Sequence, residues 1–266
     1  MGQILDPVNV SRAYEQVKRN DGAPGVDGMS VEAYAEHAAR HWLAMEAKLR
    51  EGTYRPGAVR GVSIPKPQGG QRLLGIPNVQ DRVIQQALLH VLSPIFEKDF
   101  SAHSYGYRPG RSAHDTVKAA QGYVQDGKTW VVDVDTSAFF DEVDHDILMA
   151  RVGGTIRNKR VLRLIGADLR APLRWEGREE KRNRGTPQGG PLSPLLANIT
   201  LDALDRELER RTLSFCRYAD DVAIFVTRAR SGERILESLT AWIAKHLYCG
   251  STRPKVVWID PGTARS

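Results

Sequence analysis

The chain has little cysteine: its 266 residues contain two, Cys216 and Cys249. Two cysteines build neither a disulfide framework nor a cysteine-ligated metal cluster, and Cys216 falls in an apolar stretch where a free thiol behaves as a small hydrophobe. Apolar runs of membrane-spanning length are also lacking, and the start shows no charged-then-apolar leader pattern. The expectation is a reducing, cytoplasmic setting with no membrane partner. Internal repeats and low-complexity segments are missing too.

What is present is ordinary in bulk. Hydrophobic residues make up 41%, enough at this length for a substantial core, read as one composite domain with subdomains. Lys and Arg number 38 against 32 acidic residues, a net +6 that fits a polyanionic partner although many soluble proteins are as basic.

The chain is organised around Tyr218-Ala219-Asp220-Asp221. Ser214–Arg217 leads in and Val222–Val226 leads out, both with alternating apolar residues, so the sequence predicts two short strands joined by a tight turn. Adjacent carboxylates repel, so placing Asp220 and Asp221 at the tip of an apolar hairpin is costly unless a cation binds there, and Mg²⁺ is the natural candidate. Aspartate is also simply a good turn former, and the pair alone does not decide between the two readings.

A second acidic cluster points the same way. Residues 129–135 alternate, placing Trp130, Val132 and Val134 on one face and Asp133 and Asp135 on the other, before Phe139-Phe140-Asp141-Glu142 and Asp144. Carboxylates gathered at a strand end suggest a metal site; an exposed strand end is the plain alternative.

Elsewhere the periodicity predicts helices over Pro7–Arg19, Ser30–Leu49 with Ser30 as N-cap, Val79–Phe96 with one buried face, Asp146–Val152, about Leu195–Arg211 and about Gly232–Leu247. A strand, Gly-rich turn and strand cover Tyr54–Pro77, with Lys66 and Arg72 flanking the turn as a phosphate-holding arm or as incidental cations. Tyr105-Gly106-Tyr107-Arg108-Pro109-Gly110-Arg111-Ser112 mixes aromatics with arginines, a composition that can stack on bases and clamp phosphates; His114 reads as a helix-start residue. Between Arg157 and Arg184 lies the densest basic run, either a solvated face or a surface along a nucleic-acid backbone. Gly185-Thr186-Pro187-Gln188-Gly189-Gly190 is a loop whose glycines allow a ligand close to the backbone at Gln188.

Taken in order, Ile64-Pro65-Lys66 with Arg72-Leu73-Leu74-Gly75-Ile76-Pro77, then Tyr105–Ser112, Asp135 with Phe139-Phe140-Asp141, Gly185–Gly190 and Tyr218–Asp221 resemble the ordered blocks of group II intron reverse transcriptases. The resemblance implies an α+β right-hand polymerase with fingers and palm and an antiparallel palm sheet backed by helices, and the departure after Leu247 gives the expectation that the thumb is absent. It implies fingers over 1–90, palm over 91–145, a fingers insertion over 146–184, palm again over 185–247 and an irregular tail over 248–266. The implied activity is RNA-directed DNA polymerisation, moving a nucleotide from a dNTP to a primer 3′-hydroxyl on an RNA template with a DNA primer; intron RNA is a further partner the likeness suggests.

By the same likeness Asp135, Asp220 and Asp221 would hold two Mg²⁺ ions, with Mn²⁺ a substitute. Lys66 and Arg72 would bind the triphosphate, Gln188 would position the incoming nucleotide, and Phe140 would exclude ribonucleotides at the sugar 2′ position. Tyr107, Arg108 and Arg111 would contact nucleic acid. The chain departs from the family at Leu73, usually Pro, at Ser137 and Ala138, usually longer residues, and in a connection from Val152 to Gly185 that is shorter than usual. The largest departure follows Leu247, where Tyr248-Cys249-Gly250-Ser251-Thr252-Arg253-Pro254 interrupts the expected alternating strand. A truncated, non-catalytic RNA-binding remnant is the alternative these departures leave open.

Overall fold

The computed structural model describes residues 1–65, 71–135, 142–186, 189–247 and 253–258; of Arg72, Asp135 and residues 253–256 only the backbone is described. The chain divides into two compact units, Met1–Phe96 with His145–Leu195, and Glu97–Asp144 with Leu196–Ser266.

The first unit is organised by α3 (Val79–Phe96). Its spacing predicts one buried face, but Asp81, Arg82, Gln85 and Gln86 are buried along with the apolar residues. The surroundings make this tolerable, because each polar side chain has a partner. Asp81 accepts from the Tyr54 hydroxyl at 2.6 Å and the Gly57 amide at 3.0 Å, Arg82 donates to the Ala23 carbonyl, and Gln85 donates to Asp168 at 2.6 Å. Around it stand α1 (Pro7–Arg19), capped by Asp6, and α2 (Val31–Glu51), capped by Ser30 and ended by Gly52 in the left-handed region. On α1, Asn9 donates to the carbonyls of Ile4 and Ala87 and pairs with His90 of α3.

Strands β1 (Val59–Pro65) and β2 (Gln71–Ile76) form the expected antiparallel pair, and Gly75 and Gly61 are register partners. The basic run is not one solvated face. After α5 (His145–Thr155) it folds into α6 (Lys159–Leu169) and a hairpin of β4 (Leu173–Trp175) and β5 (Arg178–Glu180), which adds to β1 in parallel and gives the order β2-β1-β4-β5. Glu176 and Gly177 at the hairpin tip both have positive φ, the mark of a type I′ turn.

The second unit is built on an antiparallel sheet of order β6-β7-β3-β8: β3 (Trp130–Asp135), β6 (Ser214–Tyr218), β7 (Asp221–Val226) and β8 (Arg253–Trp258). The β8 strand corrects the expectation of an irregular tail, since Arg253–Trp258 pairs in full register with β3. The apolar Val-Val-Trp segment supplies what an added strand needs. On one face, Val131, Cys216 and Phe225 form a cluster with Val124 of α4 (Ala113–Gln125), flanked by Tyr105 and Tyr123. Cys216 is thus a core residue, and burial pushes its thiol up to about 11. His114 sits in the first turn of α4, behind a Ser112–Asp115 capping box. The remaining helices of this unit are α7 (Ser193–Arg210), which starts in the first unit, and α8 (Ala229–His246), which packs along β3, β7 and β8.

Candidate active site

Strands β6 and β7 are joined by the two residues Ala219 and Asp220, with Tyr218 and Asp221 as register partners. Ala219 has φ 58° while Asp220 does not share the positive region, the pattern of a type II′ hairpin turn. Gly is the usual occupant of that first position, so the alanine is held there by its neighbours. Asp220 is half-buried and Asp221 is exposed, both at the sheet end.

Across the sheet, β7 pairs with β3 so that Asp221 and Asp135 are register partners at the ends of their strands. The three carboxylate positions singled out by sequence therefore share one corner of one unit. The donor chemistry fits a hard divalent cation, which takes oxygen ligands and prefers carboxylates. Among the described residues no group of three or more His, Cys, Asp or Glu side chains converges, and the Asp135 side chain lies outside that description.

The turn rests on a buried polar network that sequence reasoning missed. Arg217, the residue before Tyr218, is fully buried and meets Asp205 of α7 through two parallel bonds, Nε to Oδ1 at 2.8 Å and Nη2 to Oδ2 at 2.7 Å. Its Nη1 donates to Asn198 Oδ1 at 2.8 Å and to the Ala219 carbonyl at 2.7 Å. Asn198 in turn donates to the Gly106 carbonyl at 3.0 Å. The signal was available: Asn198, Leu201, Asp205 and Leu208 follow one inward stripe of α7, and Arg217 is in phase with the inward Phe215 on β6.

The Tyr105–Ser112 loop is placed against the same turn. Its 103–105 segment runs parallel to β6, with Arg217 N donating to the His103 carbonyl and Tyr105 N to the Arg217 carbonyl. Arg108 turns its side chain inward. Its guanidinium is buried and bound to Glu97 and to the carbonyls of Ser101 and Ser104, so it holds the loop together rather than clamping a phosphate. Arg111 binds the carbonyls of Ala102 and Ser104 and lies 5.3 Å over the Tyr105 ring, while Tyr107 is 55% exposed with φ 59°.

In the first unit, the backbone of Arg72 pairs with Ile64 on β1, and Lys66 and Gln188 lie outside the described residues. Phe140 does as well. Next to the Gln188 loop, His145 bonds through Nε2 to the Gly185 carbonyl at 2.7 Å, and Gly189 approaches the Gly75 carbonyl so closely that a Cβ would meet it at 2.4 Å.

Residues 64–250 match the reverse transcriptase (RNA-dependent DNA polymerase) family. The chain belongs to the reverse transcriptases. It is 34% identical to protein YkfC of Escherichia coli (strain K12), over 84% of this chain and 69% of that protein. It is also 34% identical to the group II intron-encoded protein LtrA of Lactococcus lactis, over 80% of this chain but 36% of LtrA. A partial Cas6-RT-Cas1–Cas2 complex contains a similar fold, with a TM-score of 0.56 and 28% identity over 90% of this chain and 41% of that one. The chain therefore spans well under half the length of two of these three relatives. The α+β fold is that of a reverse transcriptase domain, nucleic acid is the family's substrate, and divalent cations are its general cofactor. No described helix is long and apolar enough to cross a membrane.

Proposed function

We propose that this chain is an RNA-directed DNA polymerase of group II intron type, adding deoxynucleotides to a primer 3′-hydroxyl at a site formed by Asp135, Asp220 and Asp221. The observation that carries this reading is the register pairing of Asp135 with Asp221 beside an Asp220-Asp221 turn. Three carboxylates at one sheet corner repel one another, and a pair of Mg²⁺ ions is the complement that removes the repulsion. Bound there, the ions would lower the pKa of the primer hydroxyl and neutralise charge on the departing pyrophosphate.

The protein's own part is to hold these oxygens in place before substrate arrives. In this reading residues 1–90 and 146–184 supply the fingers, where Lys66 and Arg72 take the triphosphate, and residues 91–145 and 185–247 supply the palm, where Gln188 positions the nucleotide. Phe140 screens the sugar 2′ position, so Phe140→Ala increases ribonucleotide incorporation. Tyr107, exposed on the loop beside the turn, and Arg111 are the nucleic-acid contacts retained; Arg108 is not among them.

The test is Mg²⁺-dependent incorporation of dTTP on poly(rA) primed with oligo(dT), comparing the protein with Asp220→Ala. Incorporation lost in the variant supports the reading. No incorporation by either folded protein points instead to an RNA-binding chain without catalysis.

A further inference from the structure

The Arg217–Asp205 pair has side chains with no exposure at all. Stability alone does not account for it, because the desolvation of two charges offsets much of their attraction, and apolar residues of similar volume often serve a core equally well. What an apolar pair could not do is direct hydrogen bonds to chosen atoms.

Those atoms lie at the turn. Arg217 Nη1 fixes the carbonyl of Ala219 at 2.7 Å. That carbonyl shares a rigid peptide plane with the Asp220 amide, so fixing it sets the direction in which the chain enters Asp220. The other side of the turn is fixed by Gly106, where an added Cβ would lie 2.1 Å from the Ala219 nitrogen and 2.9 Å from its Cα. Asn198 joins the two restraints by accepting from Arg217 and donating to Gly106. Between them sits Ala219, a residue with a Cβ in the left-handed region at φ 58°. Non-glycine residues keep such a conformation only where their surroundings over-determine it.

We propose that Asn198, Arg217 and Asp205, acting with Gly106, are positioning residues for the metal-binding carboxylates: they hold Ala219 left-handed and so present Asp220 and Asp221 in the cation-binding arrangement. This rests on the reading of Asp220 and Asp221 as metal ligands. It also gives the Tyr105–Ser112 loop a second role besides contact with nucleic acid, since its Gly106 is a wall of the catalytic turn.

The test uses the full chain without nucleic acid and measures Mn²⁺ affinity from the paramagnetic resonance signal of the free ion. Asn198→Ala, Ala219→Gly, their combination and Asp220→Ala are compared, each checked for folding by circular dichroism and thermal melting. Asn198→Ala is expected to weaken Mn²⁺ binding about tenfold, in the range found when groups supporting metal ligands are removed. The Mg²⁺ requirement for dTTP incorporation should rise by the same factor while the KM for dTTP stays unchanged.

Adding Ala219→Gly should restore most of the affinity, because glycine occupies positive φ without steric cost. A merely structural network would lower the melting temperature of Asn198→Ala, leave Mn²⁺ affinity where it was and gain nothing from the glycine; that result overturns the proposal. Should Asn198→Ala fail to fold, the near-isosteric Asn198→Asp, which still accepts from Arg217 but repels the Gly106 carbonyl, is held to the same expectation. Mn²⁺ affinity unchanged in Asp220→Ala would show that the metal reading itself has failed, and the positioning role with it.

Discussion

Asp135 and Asp221 are register partners across the antiparallel β3–β7 ladder, each at the end of its strand. Like charges directly opposite one another destabilise a sheet, so in the proposed reading this corner gives up stability for the capacity to hold a cation. Replacing Asp221 with Asn should therefore raise the melting temperature in metal-free buffer and abolish the further rise that Mg²⁺ gives the unaltered protein. Melting with and without Mg²⁺ checks both signs. A variant less stable than the parent in EDTA would show that the carboxylate is held by favourable contacts instead.

Two glycines of the second unit should respond to alanine in opposite directions. At Gly106 the three nearest atoms to an added Cβ all belong to the Tyr218–Ala219 backbone, which cannot rotate away as a flexible side chain would. Gly106→Ala is expected to cost about 1 to 3 kcal/mol, the usual range for forcing extra atoms into a packed site. Gly122, in the interior of α4, faces open space, and Gly122→Ala should stabilise by about 0.5 to 1 kcal/mol through the higher helix propensity of alanine. Urea denaturation of the two variants reads the contrast directly.

Much of this fold was legible in the sequence. Five elements follow simple periodicities: the two strands of the hairpin from the alternation around Tyr218–Asp221, β3 from Trp130, Val132 and Val134, and α1 and α2 from apolar spacing and their caps. Polar residues inside apolar patterns were not legible. Asn198 and Asp205 break an otherwise leucine-rich stripe, and Arg217 stands where a strand wants a hydrophobe; a periodicity count discards them as noise, although it is their mutual hydrogen bonds that make burial tolerable. Arg108 was misread for the same reason. An arginine beside aromatics looks like a phosphate clamp until Glu97, eleven residues earlier, is seen to occupy it. The β8 strand escaped because Gly250 to Pro254 reads as a break, while its partner β3 lies more than a hundred residues away.

The buried ion pair gives a prediction of its own. Asp205→Ala leaves the Arg217 guanidinium buried with two of its four side-chain hydrogen bonds lost, a change expected to cost about 3 to 5 kcal/mol. Adding Arg217→Met to that variant should recover part of the loss, because the orphaned charge is removed. Chemical denaturation of both single variants and the double variant gives the coupling, and purely additive losses would contradict a direct interaction.

The last prediction concerns pH and the first unit. Asp168 of α6 is buried beside Gln85, and desolvation, with the nearby Asp81 adding repulsion, pushes its carboxyl up to about 7 despite the opposing pull of Arg182. Desolvation pushes Asp81 up to about 6. Both values lie above the unfolded range near about 4, so the folded chain holds protons that the unfolded chain releases first. Stability must then fall as pH rises from about 4 through 7, where each group is forced to ionise out of water, and level off above that. Asp168→Asn keeps the shape, removes the ionisation and should flatten the upper part of this slope, between the two folded values, while raising stability most at pH 8. Urea midpoints at intervals from pH 5 to 8 for the two proteins decide it: parallel curves would mean that Asp168 stays ionised throughout, held by Arg182 and the Gln85 amide.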